Sequence, residues 1–95
     1  MIVSFACKKT QRLFVDGEAA KEWRAFQGVA FRKLDIIDAA VTLKDLLAPP
    51  GNRLEALKGD RNGQHSIRIN DQWRVCFVWT AEGPSQIEII DYPED

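Results

Sequence analysis

Residues 57–79 read LKGDRNGQHSIRINDQWRVCFVW, and this stretch decides the fold. Ile67 and Ile69 alternate with Ser66, Arg68 and Asn70; Trp73, Val75, Phe77 and Trp79 alternate with Arg74, Cys76 and Val78. Period-2 patterning over this length predicts two strands, each with one buried face. Asn70, Asp71 and Gln72 supply the turn between them. The apolar positions of both strands must share a face, which requires an odd-numbered loop. With a loop at 70–72, Ile69 faces Trp73, Ile67 faces Val75 and Arg68 faces Arg74; an even loop would mix the faces. Two arginines placed opposite one another repel unless something negative lies near them. Either acidic side chains of a neighbouring strand neutralise them, or the pair forms a guanidinium fork suited to phosphate.

Outward from this hairpin the chain reads as one domain. At 95 residues it has surface for a single modest core. Its 45% apolar content is ordinary for a globular protein. No run approaches the roughly 18 consecutive apolar residues of a membrane span. Met1 to Phe5 carries no leading basic region and reads as an edge strand rather than a signal peptide, so the expected location is cytoplasmic. Cys7 and Cys76 are isolated, which suggests neither a disulfide framework nor CxxC chemistry. With His65 as the only histidine, no metal site has its ligands at recognisable spacing, and no cofactor motif is present.

The net charge of −1 hides an uneven distribution. Residues 53–74 carry Arg53, Lys58, Arg61, Arg68 and Arg74 against three acids, whereas residues 75–95 carry five acids and no base. A local basic patch is compatible with a near-neutral whole.

In chain order, Ile2 to Phe5 is a first strand. Lys8 to Phe14 is a short helix broken at Asp16-Gly17. A long amphipathic helix is expected from Ala19 to Val41, with Ala20, Trp23, Gln27, Ala30, Leu34, Ile37 and Val41 on its stripe and Phe26 and Phe31 widening it. Thr42 to Asp45 has the form of a capping box opening one more helical turn. Pro49-Pro50-Gly51 ends that turn. Arg53 to Lys58 is the next strand, returned by Asn62-Gly63. The glycines here do not form a P-loop, since no helix follows. Gln64 to Ile69 and Trp73 to Trp79 make the central hairpin; Ala81 to Pro84 is a loop. Gln86 to Tyr92 is the last strand, with Ile87 and Ile89 inward, and Pro93 stops it. Helices followed by hairpin-linked strands predict an α+β fold, an antiparallel sheet with helices on one face.

No motif names an enzyme outright. His65 and Ser66 are adjacent on a strand and point to opposite faces, against a nucleophilic pair. Lys58, Arg61, Arg68 and Arg74 crowd one hairpin, and Asp91 and Tyr92 fall on the strand expected beside Arg74. That set suits RNA cleavage through the 2′-hydroxyl, where positioning and charge stabilisation dominate. The structural alternative is an arginine ladder paired to Glu88 and Asp91 across the sheet.

The run Leu57-Lys58-Gly59-Asp60-Arg61, Gly63-Gln64, Ser66 to Asn70, Trp73-Arg74-Val75 and Phe77, with the Met-Ile-x-Ser-Phe start and Asp91-Tyr92, resembles the HigB-type toxins of the RelE/ParE superfamily (plasmid maintenance system killer proteins). The resemblance covers essentially the whole chain. It implies a RelE-like fold: a small antiparallel sheet with N-terminal helices. It implies an mRNA endonuclease acting at the ribosomal A site, and a HigA-like helix-turn-helix antitoxin as partner. Carried over, it makes Arg74, Asp91 and Tyr92 catalytic, with Lys58, Arg61, Arg68 and Asn70 binding RNA. The sequence departs from many members in having Pro93 after the Asp-Tyr pair, Glu55 before the Lys-Gly-Asp motif and His65 where some have an aromatic residue. Two alternatives follow: a ParE-like toxin acting on another target such as a topoisomerase, and an attenuated toxin retaining only antitoxin binding.

Overall fold

The computed structural model describes residues 1–92; the expected strand stop at Pro93 lies outside the described residues. The central hairpin joins β1 (Glu55–Ala56) and β2 (His65–Arg68) on one side to β3 (Trp73–Thr80) and β4 (Gly83–Asp91) on the other. The sheet is antiparallel in the order β1-β2-β3-β4. Ile67 pairs with Val75 and Arg68 with Arg74, the register that shared burial demands. Asn70 closes the turn: its side-chain oxygen accepts from the Gln72 and Trp73 amides, both at 2.9 Å.

Several elements differ in extent from their sequence patterns, the expected Ile2–Phe5 strand among them, which forms only an isolated bridge at Phe5. The strand expected over 53–58 shrinks to two residues, because Arg53 takes a left-handed conformation (φ 45°) and Gly59–Arg61 winds into a 3-10 turn. The loop expected at 81–84 tightens, so that Gly83 and Pro84 already belong to β4.

The hairpin's inward face meets the helices. Ile67, Ile69, Val75, Phe77, Ile87 and Ile89 are buried against Leu13, Trp23, Ala30, Leu34 and Ile37, each worth roughly 1.5–3 kcal/mol where fully buried. α1 (Lys8–Asp16) ends at Gly17, whose φ of 73° is the left-handed cap that lets its amide reach back to Leu13. The single helix expected from 19 to 41 is two elements: a 3-10 helix at Lys21–Phe26, then α2 (Gln27–Ala39). The break falls at Phe26 (φ −129°, ψ 21°). Three-residue winding aligns Trp23 and Phe26, and both rings lie against Trp73, with centroids 6.4 and 5.8 Å away. Helix α2 stops at Ala40, which is extended, so Val41 stands in solvent rather than on the stripe. Thr42 and Asp45 form the expected capping box, opening a 3-10 helix at Leu43–Leu47. Thr42 and Val41 amides donating to the Asp45 carboxylate hold its pKa below the ordinary value.

The N-terminal segment runs along the outer edge of β4. Phe5 bridges Ile87 in parallel; the Val3 amide donates to the Pro84 carbonyl (2.8 Å) and the Ile87 amide to the Ser4 carbonyl (3.1 Å). The Ile2 amide donates to Asp38 on α2 at 2.8 Å, tying this edge to the helices.

Candidate nucleic-acid interface

The face of the sheet away from the helices carries Ser66, Arg68, Arg74, Cys76, Glu88 and Ile90, set there by alternation and register. Arg68 and Arg74 share it as expected, but they sit at different depths. Arg74 is only 1% exposed. Its Nε donates to Ser66 Oγ at 2.7 Å, and its Nη2 to the Arg53 carbonyl at 2.5 Å and the Ser66 carbonyl at 3.3 Å. The guanidinium fork suited to phosphate is therefore corrected for Arg74, whose guanidinium is buried against its own fold. The loop that ends in Pro50–Asn52 lies against β2, and the left-handed turn at Arg53 directs a carbonyl onto the buried guanidinium. A buried charge requires such acceptors. Arg68 stays near the surface and pairs with Asp71 across the turn.

A corner of the sheet gathers most of the remaining expected residues. The Tyr92 amide donates to the Gln72 carbonyl at 2.7 Å, and Gln72 Nε2 donates to Asp91 Oδ2 at 2.9 Å. The end of β4 is thus pinned to the 70–72 turn, beside Arg68 and Asn70. Asp91 pairs with Trp73 and falls on the helix-side face. Alternation sends Tyr92 to the arginine side, half-exposed at the strand end. Lys58 and Arg61 belong to the opposite end of β2, beyond the Ala56–His65 pair. Arg61 donates to Glu88 Oε1 at 2.8 Å and to Gln64 at 3.1 Å, and the Glu88 bond raises its pKa further. Of the ladder considered above, Glu88 takes Arg61 and Asp91 takes Gln72.

Two further groups on the hairpin, Cys76 and His65, are placed away from this corner's chemistry. Burial pushes the Cys76 thiol up to about 11, so it remains protonated. His65 stacks on Phe77 with ring centroids 6.4 Å apart, on the helix-side face and away from Ser66 Oγ. Among the described residues no group of three or more His, Cys, Asp or Glu side chains is gathered to hold a metal. No described helix is long and apolar enough to cross a membrane.

Sequence reasoning missed Lys33, Asn52 and Arg53. Asn52 is fully buried; its amide donates to the Leu46 and Ala48 carbonyls (3.3 and 3.1 Å) and its oxygen accepts from Lys33 Nζ at 2.7 Å. Burial, then the charges of Arg32 and Arg68, lower the Lys33 pKa. The Pro-Pro-Gly-Asn-Arg segment reads only as a connection; an asparagine and an arginine directly after a rigid turn were its sole sign of a structural role.

Helices packed on one face of a four-stranded antiparallel sheet, with a basic corner on the other face, define a small α+β protein of RelE-like fold. The chain belongs to the HigB-like toxin family, described as the RelE-like toxin of the type II toxin-antitoxin system HigB, whose family model matches residues 3–92. It is similar to Toxin HigB-1 of Vibrio cholerae, 49% identical over 55 residues that make up 58% of each chain. It is also similar to an uncharacterized protein of Haemophilus influenzae, 45% identical over 51 residues, 54% of this chain and 50% of that one. The matches span about half to three-fifths of the length of these relatives.

Proposed function

We propose that this chain is a toxin that cuts mRNA on the ribosome and is neutralised by a helix-turn-helix antitoxin of HigA type. The observation that carries this reading is the corner where the end of β4, with Asp91 and Tyr92, is pinned to the 70–72 turn beside Arg68 and Asn70, next to buried Arg74. RNA phosphates would lie against Arg68 and Asn70, with Lys58 and Arg61 extending the basic track along the strand. Arg74 acts from beneath, its fixed charge strengthened by low surrounding dielectric. In the reaction the ribose 2′-oxygen loses its proton and bonds to phosphorus, while the 5′-oxygen leaves and takes a proton. Tyr92 is the group on the arginine side able to exchange that proton. Asp91, held by Gln72, orients the strand end that carries it.

The test is induction of the wild type and of Arg68→Ala and Tyr92→Phe variants in a bacterial host, followed by mapping of mRNA 5′ ends. Wild type should arrest growth and leave new ends on ribosome-bound messages, and both variants should lose this. Normal growth with intact message, despite soluble expression, overturns the reading. His65 turned toward the helix side leaves no imidazole on the arginine face of the described residues. That favours, as the second reading, a chain that binds its antitoxin without cutting RNA, and intact message alongside antitoxin binding would establish it.

A further inference from the structure

The β3–β4 hairpin has two ends. One, where Trp73 pairs with Asp91, forms the arginine corner. At the other, where Thr80 pairs with Gly83, the turn meets the start of the chain and the end of α2 around a groove of about 360 Å³. Met1, Val41 and Trp79 supply its apolar walls, and Asp38 and Glu82 its carboxylates. Met1 is 85% and Val41 83% exposed, the two most open large apolar side chains among the described residues. Val3, also exposed, lies beside Gly83 and continues this surface along the sheet edge. No lysine or arginine is among the described residues that line the groove. Neither carboxylate is in an ion pair with a described residue. The lining residues thus carry two negative charges against the one α-amino charge of Met1.

Exposed large apolar side chains gathered around a concavity mark a site of association. The sign of the charge beside them selects the partner: a polyanion is repelled, and a basic segment is attracted. A toxin of a type II toxin-antitoxin system has one protein it must meet, its antitoxin. We propose that this groove seats the antitoxin, through a segment whose apolar side chain fills the space between Met1, Val41 and Trp79 and whose lysine or arginine meets Glu82 and Asp38. The inference rests on the family's antitoxin partnership and not on RNA cleavage at the corner. That corner lies about 20–25 Å away along the hairpin, at ~3.3 Å per residue, so contacts in the groove are separable from those at Arg68.

The experiment mixes the whole chain with the antitoxin encoded beside it and follows binding by calorimetry at low and high salt. Val41 and Glu82 are exposed, so Val41→Lys and Glu82→Gln should keep the wild-type thermal midpoint. Val41→Lys should weaken binding by roughly tenfold or more, as loss of an apolar anchor does. Glu82→Gln should weaken it about threefold at low salt and by less at high salt, the mark of a charge pair at a rim. Arg68→Ala should bind like wild type. Hydrogen exchange locates the contact: the antitoxin should protect the amides of residues 79–83 and 39–41. Wild-type affinity in both groove variants, or protection confined to other surfaces such as the 70–72 turn, overturns the inference while leaving the antitoxin partnership intact. A chain that is dimeric alone and made monomeric by Val41→Lys would give the groove to a second copy and overturn it too. If wild type does not bind the antitoxin at all, the partnership itself falls, and the inference with it.

Discussion

Arg68 and Arg74 are chemically identical, directly paired and opposite in what they do for the fold. The Arg68–Asp71 pair joins a largely solvated carboxylate to a surface guanidinium, an arrangement worth about 0–1 kcal/mol. Arg74 satisfies a buried hydroxyl and two carbonyls. Truncating it strands those acceptors, at roughly 1–3 kcal/mol for each left dry. Arg68→Ala should therefore leave the urea midpoint almost unmoved while abolishing RNA cleavage. Arg74→Ala should lower stability by about 2–4 kcal/mol as well as activity. Equal midpoints for the two variants would refute the assigned depths. The pairing of these residues was legible in the sequence because alternation fixes a side chain's face. Depth was not, because it depends on a loop from elsewhere in the chain covering that face. Asp91 and Tyr92 are neighbours on one strand, so the alternation that separates His65 from Ser66 also sends them to opposite faces.

At the scale of elements, hydrophobic spacing located the strands well and misjudged the helices. Period 2 leaves little freedom once the loop is odd, and the hairpin register followed from it. Residues at spacings of three and four suit a 3-10 turn and an α-helix alike. The stripe through Trp23, Phe26 and Ala30 therefore did not disclose that the backbone changes winding at Phe26, where the docking of two rings on Trp73 decides the matter. The start of α2 also carries a removable weakness. Gly28 lies in its first turn, and an added Cβ there would meet nothing within 4 Å. Gly28→Ala should stabilise the protein by about 0.5 kcal/mol by narrowing the unfolded ensemble. In a scanning-calorimetry or circular-dichroism melt, that is a gain of about 2–4 °C. An unchanged or lowered midpoint would mean that the helix start is wrongly placed.

For the molecule as a whole, the decisive joint is between the two ends of the chain. Gly83 adopts a φ of 130°, and a Cβ there would lie 2.6 Å from the Met1 carbonyl oxygen. Gly83→Ala should cost about 1–3 kcal/mol in backbone strain and also push the N-terminal segment off β4. Hydrogen exchange checks this: the Val3 and Ala6 amides, bonded to Pro84 and Ile87, should lose protection before the β2–β3 amides do. Uniform loss of protection would show that the segment and the sheet open as one unit.

The same stitching orders events in time. Residues 3–6 find their backbone partners in Pro84 and Ile87, far along the chain. A growing chain therefore cannot complete this sheet edge before β4 exists, nor dock the end of β4 on the 70–72 turn before Tyr92 has been added. The corner proposed to attack messages is thus absent from every shorter nascent chain.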